Sequence, residues 1–193
     1  MNALNIILSE HQSLAAVLHG MLYLVRQTRD RGTKPDFLVL GAMLHYIDTV
    51  PERFHHPKED KYLFARLRER RPETAPLLDR LHGEHIVGAE KIRALEQSLL
   101  RYQHGGGDEA RHAFTDAAEA YAGFHWDHMR REENEVLPLA QEYLEPADWL
   151  IIDEAFAGHT DPLLGAPAKA EHDKLFTRIV NLAPAPIGVG PAS

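Results

Sequence analysis

The sequence reads as an all-α protein, an up-down-up-down four-helix bundle with one or two extra short C-terminal helices. Three observations carry this. Four long stretches repeat apolar residues at three- and four-residue steps, the period of a helix face. Glycine and proline punctuate the gaps between them. No segment alternates with a period of two over any length, so no strand is predicted.

In the first stretch Leu4, Ile7 or Leu8, His11, Ala15, Leu18, Leu22 and Val25 share a stripe, which "RDRGTKPD" breaks with Gly32 and Pro35. The second, over about 36–70, carries Leu40, Leu44, Ile47, Pro51, His55, Glu59 and Leu63. Pro51 and Pro57 disturb its hydrogen bonding, which predicts a kink or a bulge. Its end, "RLRERR", suits a solvated terminus that complements the helix dipole. After "RRPETAP", with Thr74 as a cap, the third stripe runs Leu78, Leu81, His85, Gly88, Ile92, Leu95 and Leu99. "QHGGGDE" stops it, and Asp108 suits the next N-cap. The fourth stripe runs Phe114, Ala118, Tyr121, His125, His128, Glu132, Val136, Leu139 and Tyr143.

The bundle is thus expected over 1–145 and a helical extension over 146–181, with a short helix near 147–157, a loop in "GHTDPLLGAPAK" and a last helix in "KAEHDKLFTRIVNL". A disordered tail is expected over 182–193.

Composition excludes several classes. The 193 residues are 44% hydrophobic and 26% charged, enough for a sizeable core under a charged surface. A formal net charge of −8 argues against nucleic-acid or anionic-membrane partners, because phosphate binding needs concentrated cations. With no cysteine there is no disulfide, thiolate metal site or cysteine nucleophile. No apolar run approaches membrane-spanning length and no basic leader precedes one, so a cytoplasmic location is expected. What stands out is 13 histidines, several of them inside apolar stripes.

Each main stripe holds a histidine: His11, His55, His85 and His128. Two of these are followed four residues later by a glutamate, Glu59 and Glu132, on the same helix face. The pattern is duplicated. "SEHQSLA" around His11 returns as "GEHIVGA" 74 residues later, and "HHPKEDKYLFARL" returns as "HMRREENEVLPLA" 73 residues later. Two hairpins of the form His–(43 or 42 residues)–His-x-x-x-Glu would bring four imidazoles and two carboxylates to a common centre. Imidazole is the commonest metal ligand and a carboxylate can bridge two hard cations, so six such groups suit two metal ions. The bland alternative, four core histidines and two solvated glutamates, requires charged residues to stand on apolar stripes twice at one offset.

Aligning the halves turns His55 and Glu59 inward and rotates His56 and Asp60 away. A proline-induced bulge that shifts the phase by one residue would bring His56 in instead. His82 and His125 each precede a ligand candidate by one turn. Each is open to three readings: a further ligand, a partner orienting one, or a hydrogen-bonded core residue. Glu10 and Glu84 read as exposed charges, and His19, His45, His104, His112, His159 and His172 as surface or loop positions. Tyr23, Tyr62 and Tyr121 read as core.

The pieces "EHQSL", "FHHPKEDKYLF", "EH" at 84–85 and "HMRREENEVLPLA" resemble the hemerythrin-like, HHE cation-binding domains over roughly residues 5–145. The resemblance implies two iron ions bridged by Glu59, Glu132 and an oxo or hydroxo group. Its ligand would be a small diatomic molecule or peroxide (O2, NO or H2O2), and its role sensing, scavenging, iron delivery or stress protection. Zinc or manganese are the possible substitutes, in a non-redox interaction bundle. Oxygen-carrying hemerythrins use five histidines and two carboxylates, with a His-x-x-x-His pair on the third helix and His-x-x-x-x-Asp on the last. Here the spacings are His82-x-x-His85 and His128-x-x-x-Glu132. Four histidines with two glutamates look more like the di-iron proteins of iron–sulfur cluster repair, which carry a cysteine-containing segment lacking here. The sequence names no substrate pocket or general acid, which leaves catalytic turnover and oligomeric state open.

Overall fold

The computed structural model describes residues 2–32, 35–157, 177 and 179–181. Four rods form the bundle. Helix α1 is Asn2–Arg31. Helix α2 spans 37–70 in joined segments: Phe37–Ile47, a π-helical stretch Asp48–His55, His56–Lys58, a second π-helical stretch Glu59–Phe64, and Ala65–Arg70. Helix α3 is Ala75–Gln103, and α4 spans 107–143 as Gly107–Arg131, π-helical Glu132–Val136 and Leu137–Tyr143. Each rod packs against the next and α4 returns to α1, the ring expected of up-down-up-down order. A short helix α5, Pro146–Ala157, lies against α1 and the Glu59–Phe64 stretch. Among the described residues no helix is long and apolar enough to cross a membrane.

The start and stop signals act partly through other atoms than expected. Asp36 caps α2, accepting from the Leu38 and Val39 N–H groups. The Thr74 hydroxyl does not cap α3; it donates back to the Arg71 carbonyl at 2.7 Å. Helix α4 starts at Gly107 with Asp108 inside its first turn, because Gly105 and Gly107, at φ 93° and 64°, make the reversal themselves. At α5 the Glu145 N–H donates to Asp148 Oδ2 at 3.0 Å. Arg70 is not merely solvated: its Nε donates to Asp148 at 2.8 Å and ties α2 to α5. Of the C-terminal expectations, the loop and the tail lie outside the described residues. Within the expected last helix, positions 177 and 179–181 are helical, with Ile179 buried.

Among the described residues the core is two clusters rather than one. One gathers Leu18, Met21, Met43, Leu44, Ile92, Phe114 and their neighbours. The other gathers Ile7, Leu63, Leu81, Val136, Ile152 and Phe156 with theirs. Along every rod the buried stripe changes from aliphatic to imidazole or carboxylate at the same height, between Ile7 and Leu14, Val50 and Leu63, Leu81 and Ile92, Tyr121 and Val136. A polar layer therefore sits across a bundle that is oily above and below it.

Helix α5 closes one side of that layer. Phe156 is fully buried, with its ring centroid 6.1 Å from that of His55 and the Lys58 ammonium 5.6 Å over its face. Replacing Phe156 with alanine should cost about 3–5 kcal/mol, the range for deleting a buried aromatic ring, as read from urea unfolding.

Candidate metal centre

The π-helical turns decide which side chains enter the layer. In α2 the His56 N–H reaches the Pro51 carbonyl five residues back, and in α4 the Leu137 N–H reaches that of Glu132. Pro51 has no N–H to give, so a wider turn that skips a bond is the least disruptive solution there. A wider turn also advances fewer degrees per residue, so neighbouring residues can share a face. His55 and His56 are accordingly both buried, 3% and 4% exposed, with centroids 5.6 Å apart. This corrects the reading that rotates His56 away: the wider turn brings His56 in beside His55 rather than in its place.

Two groups of donors result. One is His11, His55, Glu59 and Glu132; the other is His56, His85 and His128 with the same two glutamates. Glu59 places Oε1 3.2 Å from His55 Nε2 and Oε2 3.6 Å from His85 Nε2. Glu132 places Oε2 3.4 Å from His11 Nε2 and Oε1 3.2 Å from His128 Nε2. Each carboxylate thus spans both groups. The Nε2 atoms of His11 and His55 stand 3.1 Å apart, and those of His85 and His128 3.2 Å apart. Two donors each about 2.1 Å from one ion and about 100° apart would be roughly 3.2 Å from one another, so these spacings admit a cation.

The outer ring nitrogens explain why Nε2 faces inward. His11 Nδ1 donates to Glu133 at 2.9 Å, His55 Nδ1 to Glu10 at 2.7 Å, His85 Nδ1 to Asp60 at 3.0 Å and His128 Nδ1 to Glu84 at 3.0 Å. His56 Nδ1 donates to Glu52 at 3.3 Å. A carboxylate on Nδ1–H fixes the tautomer and turns the Nε2 lone pair toward the layer. These five acids are what sequence reasoning missed. Glu10 and Glu84 are not free surface charges but partly buried partners. The signal for four of the five was in the repeat: Glu10-His11 returns as Glu84-His85, and Glu59-Asp60 as Glu132-Glu133. Glu52 had no such signal, because its counterpart 73 positions on is His125.

His125 is 1% exposed but stands outside both donor groups. Its Nε2 lies 3.3 Å from Glu52, and its ring is parallel to that of His56 at 5.9 Å. Tyr121 donates its hydroxyl to Glu52 at 3.0 Å. Gly88 leaves room for that carboxylate, since a Cβ there would meet Glu52 Oε1 at 3.0 Å. His82 is outside the buried layer, 56% exposed, with Nδ1 3.0 Å from Asp60 Oδ2. His19, His45, His104 and His112 are exposed.

Electrostatics show what the layer lacks. Glu59 and Glu132 are 0% and 1% exposed, yet none of their four oxygens has a hydrogen-bond partner among the described residues. Burying bare carboxylates costs far more than packing returns unless positive charge faces them. Burial pulls the imidazoles toward neutrality, but the acids outweigh it. Glu59 and Glu10 hold His55 well above its ordinary value, Asp60 and Glu132 raise His85 to about 9, and Glu132 raises His128 to about 10. Against its own burial, Glu132 is held well below the carboxylate range by His128, His11 and His85. His56 goes the other way, pushed well below by burial and by the charge of His85. Cations among these donors would balance the two glutamates. The donor set fits metal ions.

A helical bundle with a buried imidazole–carboxylate layer of this kind is a metal-binding protein by class. The chain matches the family model of the hemerythrin HHE cation-binding domain over residues 2–140, and it belongs to that family. Neither curated proteins nor solved structures gave a match.

Proposed function

We propose that the buried layer holds two iron ions and that the protein uses them to bind or react with O2, NO or peroxide. The observation carrying this is the unequal donor count. Around His11 and His55 stand two imidazoles and two carboxylate oxygens; around His56, His85 and His128 stand three imidazoles and two. With His56 included the set is five histidines and two glutamates, the number in oxygen-carrying hemerythrins rather than the four-histidine pattern. Two irons held by these residues would supply reversible electron exchange, and the His11 and His55 group, with one imidazole fewer, would leave the more room for a small ligand.

The chain's own residues do the rest. Glu10, Glu52, Asp60, Glu84 and Glu133 hold the imidazoles in place, while Phe64, Phe124 and Phe156 pack around the rings and keep the layer dry. Protein purified without added metal should carry two irons per chain and a visible spectrum that changes on reduction and again in air. One zinc per chain with no visible absorption would overturn the reading in favour of a non-redox bundle. Steady consumption of NO or peroxide, rather than stoichiometric binding, would place the protein among oxidative or nitrosative-stress enzymes.

A further inference from the structure

The donors of the buried layer are between 0% and 6% exposed, so a hydrated cation needs a place to shed water on the way in. The two hairpins are not equivalent in offering one. Beside His85, the Asp60 carboxylate bridges two imidazoles: Oδ1 lies 3.0 Å from His85 Nδ1 and Oδ2 lies 3.0 Å from His82 Nδ1. The three residues present ligand atoms all within 4.8 Å of one another, and they grade from exposed His82 through Asp60, 23% exposed, to buried His85. At the pseudo-equivalent place in the other half, Glu133 meets His11, but the position of His82 is taken by Leu8.

We propose that His82, Asp60 and the outer nitrogen of His85 form a third, shallow cation site through which ions reach the buried layer. The steps inward are short. Asp60 follows Glu59 in the chain, and the far nitrogen of the His85 ring is 3.6 Å from Glu59 and 3.5 Å from Glu132. One ring therefore faces the shallow site with Nδ1 and the buried layer with Nε2. An oxygen and two imidazole nitrogens suit a first-row divalent cation, and a carboxylate at a partly open mouth concentrates cations before they lose their water. With three donors, one of them on a side chain 56% exposed, against the four or five of each buried group, the site holds an ion only in passing, as ingress requires.

This inference rests on the paired site proposed above, and Co2+ uptake by stripped protein separates the two. His82→Ala removes only an exposed side chain and leaves the buried donors intact. Stopped-flow absorbance should show uptake slowed roughly tenfold, with the same two tightly held equivalents at the end. The exposed-histidine control His112→Ala should load like the unaltered chain. Equal rates for the His82→Ala and unaltered proteins, both ending with two ions, would overturn the shallow site alone. No tight Co2+ in the unaltered protein would overturn the paired site and this route together.

Discussion

If the layer holds the iron proposed above, Glu132→Ala protein should emerge from purification with less than half the iron of the unaltered chain, and Glu59→Ala with as little. Each carboxylate faces both donor groups through separate oxygens, so its loss removes one donor from each ion and half the negative charge that draws cations into the layer. The neighbouring Glu133→Ala provides the contrast. Glu133 is 41% exposed and reaches only the outer nitrogen of His11. Losing such an orienting partner typically weakens metal binding about 10- to 100-fold, which leaves the stoichiometry near two when metal is plentiful. Iron analysis beside a circular-dichroism check of helix content decides it. Equal iron in the Glu132 and Glu133 variants would mean that the inward phase of α4 is misassigned.

Stripping the metal should make stability depend steeply on alkaline pH. The folded-state pKa values of His85 and His128 are raised, to about 9 and about 10. A raised pKa contributes stability that is fully present below the unfolded value of about 6.5 and is lost as pH climbs through the folded one. Glu132 is depressed, so its share is present above the ordinary carboxylate value and disappears as pH falls through its folded value. Chelator-treated protein should therefore hold its melting temperature below about pH 6.5 and lose it progressively from there to about pH 10. The loaded protein should hold its own over the same range, because ions in place of protons have nothing to titrate away. Calorimetry of both forms tests this. A stripped protein whose melting temperature does not move would show that the imidazoles are neutral and that the glutamates find their balance elsewhere.

Most of the fold could be read from spacing alone. Apolar residues at three- and four-residue steps, with histidine substituted at one height in each rod, determine both the bundle and the location of its polar layer. The duplication of His-x-x-x-Glu identified four imidazoles and two carboxylates. It turns His56 outward because aligning the two halves gives no phase to the kink or bulge that Pro51 predicts. Proline announces a missing hydrogen bond, but whether the chain absorbs it as a kink or as a wider turn depends on packing around it. Glu52 escaped for a related reason: it is held by Tyr121 and His125 from another rod, and that arrangement has no trace in the spacing of α2. Thr74 and Asp108 show the smaller version of the problem, where a suitable side chain was present and the backbone found another solution.

The crossed pattern of orienting acids bears on ancestry. Glu10 and Glu84 each steady a histidine within their own hairpin, whereas Asp60 and Glu133 reach over to a histidine of the opposite one. Neither half-chain completes its own set. A forebear half this length, built from a single hairpin and binding the same cations, would have needed a second copy of itself. Fusion of two such copies would then have freed one to keep a methionine at position 129 where its twin carries His56.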